Sequence, residues 1–227
     1  MTRDANSFNE AVGWLHNDFQ QNPFQYGNED PIRPELYRRL CHSLSSTRVD
    51  VEYERDYGDF DQWRVAEIHD RIDQTGRASR VRVEMSFIHE GERWRTRERQ
   101  TAKQFDLVVF EDATLKMQSK AEGPGNYCDS SNRVSVLCEI KHSKNESDNL
   151  YAENGGAGDI IALSQYPGEV EHRVFVFLDW WPRYKRGDKR YERHFGKLAE
   201  NVEGELDQPV ETVYVPRTGE LRRETLR

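Results

Sequence analysis

The stretches KQFDLVVFED, residues 103–112, and RVSVLCEIKH, residues 133–142, carry the strongest strand signals in the chain. Both are rich in Val, Leu, Ile and Phe, which suit a half-buried sheet. Side chains two residues apart share one face of a strand, so Glu139 and Lys141 project together. The two stretches therefore predict neighbouring strands that carry charged side chains on a partly apolar surface.

The sequence that follows predicts a helix and another strand. Small and polar residues precede DIIALSQYP, which favours a helix from about residue 158 to 167, and RVFVFLDWW, residues 173–181, is typical of a buried strand. A strand, a helix and a strand in this order indicate a parallel crossover. The apolar side chains of this helix should pack on the sheet, and Gln165 could then face the same cleft as Glu139.

Two amphipathic helices are expected near the N-terminus. SFNEAVGWLHNDFQ, residues 7–20, begins with Ser7 and Glu10 at capping-box spacing, and PIRPELYRRLCHSL, residues 31–44, should end near Ser45.

The other segments carry weaker signals. Alternating residues predict a strand at 49–53 and a hairpin over 80–100, and charged residues 61–73 suit a surface helix. Residues 120–132 read as an exposed loop and 212–216 as a short strand with a frayed tail after it.

Length and composition are consistent with one α/β domain over residues 1–227, with N-terminal helices and a basic C-terminal segment. No stretch approaches the roughly 20 apolar residues of a membrane span, and the start lacks a secretory signal, so we expect a cytoplasmic protein without membrane contact. The three cysteines include no CxxC pair, and Cys138 is expected in the core rather than in a disulfide or zinc site.

The formal net charge of −8 argues against a generally basic nucleic-acid coat. A local basic surface remains compatible with it, and clustered carboxylates can themselves hold metal ions. The segment RYKRGDKRYERHFGK, residues 183–197, combines basic and aromatic residues that could contact phosphates and stack on bases. The same composition also suits a solvated helix face.

Asp106 is the second charged position of interest, because a carboxylate between Phe105 and Leu107 on a half-buried strand is costly without a partner or a cation. A hard cation such as Mg²⁺ would satisfy Asp106 and Glu139 together, with a main-chain carbonyl such as that of Ile140 as a further ligand. Lys141 could then orient a water or stabilise a phosphate. This set suffices for phosphodiester hydrolysis.

At FDLVVF and CEIKH the sequence resembles the PD-(D/E)xK, or restriction-endonuclease-like, superfamily. The resemblance implies a mixed central sheet flanked by helices, Mg²⁺ or Mn²⁺ bound by Asp106 and Glu139, and assistance to hydrolysis by Lys141. Many members add a glutamate from an N-terminal helix, for which Glu35 or Glu29 is the candidate. Two departures are Phe105 in place of the family's proline and a long segment between the two motifs.

Simpler explanations exist for each of these residues. Glu139 and Lys141 could be a solvated pair on an exposed strand, and Glu35 or Glu29 could only favour a helix start through the helix dipole. His142 could act as a proton carrier, but its place on the opposite strand face favours a structural or solvated histidine.

The expected function is therefore metal-dependent hydrolysis of DNA, with RNA as the alternative substrate, in restriction, repair or defence. A homodimer would suit an enzyme that cuts two strands. A catalytically silent domain of the same fold that binds nucleic acid or a protein is the main alternative, since a fold does not establish activity. The third possibility is an unrelated α/β interaction domain in which the three charged residues never meet.

Overall fold

A computed structural model describes residues 2–26, 31–44, 80–96, 103–111, 117–118, 127–143, 150–151, 155–180 and 190–227. The predicted strand at 49–53 and the predicted surface helix at 61–73 lie outside these residues, as do Glu29 and most of the basic segment, residues 183–189.

The described chain is built around a mixed sheet whose strand order is β4-β5-β1-β3-β6-β7-β8-β9, with β2 paired to β1. The nine strands are β1 Val81–His89, β2 Glu92–Arg93, β3 Gln104–Phe110, β4 Met117–Gln118, β5 Tyr127–Asp129, β6 Val134–Ser143, β7 Val170–Asp179, β8 Val210–Pro216 and β9 Arg222–Leu226. The β1-β3-β6 part is antiparallel, whereas β6-β7 and β7-β8 are parallel pairs. The predicted mixed sheet and the parallel crossover are confirmed.

Helices cover both faces of this sheet. The helices are α1 Arg3–Gln21, α2 Ile32–Leu44, α3 Gly156–Gln165 and α4 Arg190–Val202, with a short 3₁₀ turn at Pro23–Tyr26. Apolar side chains of α1 and α2 form one buried cluster with one sheet face, and those of α3 and α4 form a second cluster with the other face. The predicted α/β class is therefore confirmed.

The first helix begins earlier than the capping-box pattern predicted. Thr2 is its N-cap, and the Thr2 Oγ1 accepts a hydrogen bond from the Ala5 N–H. Ser7 is instead a buried residue inside the helix. The predicted start was wrong because a Thr five residues earlier supplies the cap, so the helix extends by more than one turn.

Most other predicted elements have the expected positions, but three segments differ. The second strand of the predicted hairpin is short, because β2 covers only Glu92–Arg93 and residues 94–96 are not in a strand. The helix predicted at 31–44 and the strands around Asp106 and Glu139 are confirmed. The frayed tail was wrong, because Arg222–Leu226 pairs antiparallel with β8 and so supplies an edge strand. The exposed loop was wrong at its end, because Tyr127–Asp129 pairs with β1 and places Cys128 in the core.

Strand alternation reverses where Glu84 and Asp106 face each other on β1 and β3. Val83 pairs with Leu107 and belongs to the cluster beneath α1 and α2, whereas Met85 pairs with Phe105 and belongs to the cluster beneath α3. Glu84 has φ of 50°, a left-handed conformation that turns the strand. Asp106 therefore lies where β3 changes the side to which its residues point.

No helix within the described ranges is long and apolar enough to cross a membrane. Cys138 is fully buried and its thiol is free, as expected for a small core residue.

Gly156 allows the start of α3 to approach β7, and its replacement by Ala should lower the free energy of unfolding by about 1–3 kcal/mol. A Cβ there would lie 2.6 Å from the Leu150 carbonyl oxygen and 3.0 Å from Phe175 Cζ. Gly196 in α4 is a matched control, because an added Cβ would meet no atom within 4 Å. Gly196→Ala should stabilise by about 0.5–1 kcal/mol. Equal effects of the two substitutions in urea unfolding would contradict this packing.

Candidate functional site

Asp106 is held from two sides at the kink in β3. The pairing of Leu107 with Cys138 continues in register to place Asp106 opposite Glu139 on the neighbouring strand β6. The Asp106 Oδ2 accepts a hydrogen bond of 2.8 Å from the Ile140 N–H, and its Oδ1 lies 3.0 Å from Arg33 Nε. These contacts fix the carboxylate beside β6 instead of leaving it in solvent.

Arg33, the second residue of α2, links the two facing acidic residues at the kink. Its Nη1 donates to Glu84 Oε1 at 2.7 Å while its Nε contacts Asp106. A guanidinium suits this arrangement because its donors form a planar fork. Arg33 therefore attaches the start of α2 to the point where β1 and β3 reverse their alternation.

Glu139 lies on the face that α3 covers and is almost completely buried, at 2% exposure. Its Oε1 is 2.7 Å from Lys103 Nζ, and the same Nζ is 2.7 Å from Asp159 Oδ1. Asp159 is also buried, at 3% exposure, and lies in the first turn of α3. A single ammonium therefore joins the strand β6 to the helix that follows it.

The electrostatics of Glu139 follow from its surroundings. Its partner in the parallel pair with β7 is the buried Phe175, and Glu139 itself is buried. This burial, together with the charge of Asp106, raises the pKa of Glu139 well above its usual value, and Lys103 opposes that shift. Burial alone would lower the pKa of Lys103, but the charges of Glu139 and Asp159 raise it instead.

Lys141 completes the charged group, two residues beyond Glu139 on the same strand. Its Nζ lies 3.1 Å from Asp159 Oδ2, so the two oxygens of Asp159 contact two different lysines. The side chain of Lys141 is 29% exposed, whereas that of Lys103 is 9% exposed. The charged group therefore extends from a buried end at Lys103 to an accessible end at Lys141.

Asp106 thus lies opposite Glu139 in the pairing of β3 with β6, and Lys141 follows on the face of Glu139. The Asp106 carboxylate contacts Arg33 of α2, whereas Glu139 contacts Lys103 beneath α3. The opposite orientation of Cys138 and Ile140 is also as expected, since both belong to the cluster beneath α1 and α2.

Glu35, the candidate helix carboxylate, and Gln165 contact residues other than Asp106, Glu139 and Lys141. Glu35 pairs with Arg38 and Arg39 of its own helix, and the residue through which α2 contacts Asp106 is Arg33. Gln165 lines a cavity of about 690 Å³ with Val134 and Val170, at the beginning of β6. Val134 is five residues before Glu139, or about 17 Å along a strand.

Sequence reasoning missed Lys103, Asp159 and Arg33. Lys103 and Asp159 are the first residues of the two stretches KQFDLVVFED and DIIALSQYP. Their partnership joins residues 56 positions apart and depends on how α3 crosses over the sheet. A charge at the boundary of a strongly apolar stretch is a signal that could have identified Lys103 and Asp159 as candidates.

The donor atoms at this site suit a hard cation. Within the part of the chain that the structure describes, no three His, Cys, Asp or Glu side chains form a group that could hold a metal ion. Mg²⁺ is commonly held by only one or two carboxylates together with waters. Asp106 and Glu139 supply such a pair on adjacent strands, and Ile140 offers a main-chain oxygen, so the residues fit Mg²⁺ or Mn²⁺ in donor type.

Two further predicted features can be placed. His142 packs edge-on against Phe19 and near Trp180, in keeping with a structural role. The described end of the basic segment forms α4, where Glu192 pairs with Arg222 of β9 at 3.1 Å. DNA contact by this segment stays a prediction.

Comparison of the chain with protein-family models, with curated proteins and with solved structures finds no significant match.

Proposed function

We propose that this protein hydrolyses phosphodiester bonds of DNA with the help of Mg²⁺ or Mn²⁺, and that its sheet is of the restriction-endonuclease type. The observation that carries the proposal is the position of Asp106 opposite Glu139 on adjacent strands, with Lys141 on the face of Glu139. Two carboxylates on neighbouring strands and one partly exposed ammonium support this proposal. RNA is the alternative substrate.

Asp106 and Glu139 would hold the cation, with the carbonyl oxygen of Ile140 as a further donor. The bound ion would lower the pKa of a water and neutralise charge that develops on the phosphate. The Ile140 N–H keeps Asp106 against β6, so this carboxylate is oriented before any ligand arrives. Such preorganisation lowers the cost of assembling a charged site.

Lys141 would bind the substrate phosphate. Asp159 orients the Lys141 ammonium by a contact of 3.1 Å, and the partly exposed side chain can reach a phosphate oxygen. A positive charge positioned there stabilises the additional negative charge of the transition state. Asp159 is therefore a positioning residue for Lys141 in this proposal.

The charge balance of the site favours a second candidate, a catalytically silent domain of the same fold that binds nucleic acid or a protein. Asp106 pairs with Arg33, Glu139 with Lys103, and Asp159 with both lysines. A network in which each carboxylate has a cationic partner needs no metal ion to balance its charges.

A cleavage assay separates the two candidates. The purified protein should cut DNA in Mg²⁺ or Mn²⁺ and should lose all cleavage in EDTA, because Asp106 and Glu139 alone cannot activate water. Linear and circular duplexes, single-stranded DNA and RNA should be compared in parallel. Binding of any of these without cleavage in either metal would favour the silent domain.

A further inference from the structure

Lys103 is an unusual residue for the interior because its ammonium is buried between two carboxylates. The residue is 8% exposed, and its Nζ lies 2.7 Å from Glu139 Oε1 and 2.7 Å from Asp159 Oδ1. Glu139 and Asp159 are still more deeply buried. A buried ion pair of this kind persists only where good geometry offsets the loss of hydration.

The position of this ammonium bears directly on the proposed metal site. Glu139 is one of the two carboxylate ligands of the proposed metal site. In the structure the Glu139 Oε1 already contacts the Lys103 ammonium. A divalent ion on Glu139 would either displace Lys103 or bind within a few ångströms of its positive charge. Like charges this close repel strongly where little water screens them.

We infer that Lys103 is an internal counter-cation of the proposed site, which holds Glu139 and Asp159 when no metal is bound and weakens metal binding. The inference rests on the proposed function, since it assumes that Glu139 is a metal ligand. Asp159 gives the ammonium a second partner, which keeps Lys103 close even when Glu139 is engaged elsewhere. The protein is then stable without metal, and metal affinity is moderate.

The test compares Lys103→Met with the wild-type protein. Met has a similar length but no charge, so the variant should bind Mn²⁺ at least about tenfold more tightly in a calorimetric titration. A tenfold gain in affinity requires the loss of only a small repulsion between the bound ion and the Lys103 ammonium. Without metal its melting temperature should fall, because Glu139 and Asp159 lose their shared cation. Addition of Mn²⁺ should raise that melting temperature more than it raises that of the wild type.

Two further variants separate charge from side-chain loss. Lys103→Arg keeps the charge and should retain the wild-type response to Mn²⁺. Lys197 lies on α4, and its ammonium is over the Tyr151 ring. The variant Lys197→Met should also respond to Mn²⁺ as the wild type does. If Lys103→Met does not fold, Lys103→Gln provides the same comparison with a polar side chain.

The outcomes distinguish this inference from the function on which it rests. Mn²⁺ binding by the wild type that depends on Glu139, combined with equal or weaker binding by Lys103→Met, would overturn the inference and leave the proposed function standing. An absence of Mn²⁺ binding in the wild type and in all Lys103 variants would overturn the proposed function and the inference with it.

Discussion

Replacement of Asp106 or Glu139 by Ala should reduce DNA cleavage by about 10³-fold, and Lys141→Ala should reduce it by about 10²–10³-fold, while the fold persists. Loss of either carboxylate removes a metal ligand, and a metal ion supplies several kcal/mol of transition-state stabilisation. About 4 kcal/mol corresponds to 10³-fold in rate. Loss of Lys141 removes a positioned charge, for which reductions of about 10²–10³-fold are typical. Single-turnover cleavage at saturating Mg²⁺ is the measurement.

A matched control is Glu169→Ala, which removes a largely exposed carboxylate that pairs with Arg133 near the beginning of β6. This variant should cleave as the wild type does. Circular dichroism and thermal unfolding establish that each variant is folded. Full cleavage by all three site variants would locate the activity elsewhere, and selective loss in the Lys141 variant alone would contradict the two-carboxylate site.

The Phe175→Ala substitution should have the largest effect on stability, about 3–5 kcal/mol in the free energy of unfolding. Phe175 is completely buried on β7, beside Glu139 and beneath α3. Its truncation leaves a cavity in the cluster on which α3 rests and admits water toward the buried charges. Urea unfolding monitored by fluorescence, with wild type measured alongside, gives the difference.

Phe24→Ala provides the control, since Phe24 is 81% exposed. Its replacement should change stability by no more than about 0.5 kcal/mol. A loss below about 1 kcal/mol in Phe175→Ala would contradict the packing of α3 on β7, because a fully buried ring cannot be removed so cheaply from a close-packed interior.

The sheet was largely predictable from the sequence because its strands are apolar and bounded by polar turns. The stretches around Asp106 and Glu139 have this pattern. The helix between β6 and β7 then indicated a parallel crossover. The edge strand β9 was not predictable in the same way. Its sequence, RRETL, is mostly polar because an edge strand is only half covered. It is a strand because its backbone pairs with β8, which the sequence pattern does not reveal.

The candidate site was predictable only in part. Alternation on one strand places Glu139 and Lys141 together, which depends on local geometry alone. The contacts of Lys103 with Glu139 and Asp159, in contrast, join three separate elements. The reversal of alternation at Glu84 depends on a backbone conformation for which Glu has no special preference, so no residue pattern announced it.

Calorimetric titration with Mn²⁺ is the most direct test of the claim that Asp106 and Glu139 form a divalent cation site. We expect wild type to bind the ion, Asp106→Asn and Glu139→Gln to lose most of the affinity, and Lys141→Met to retain it, because only the first two substitutions remove a hard ligand. Binding that is unchanged in both carboxylate variants, or no binding by the wild type, would contradict the claim.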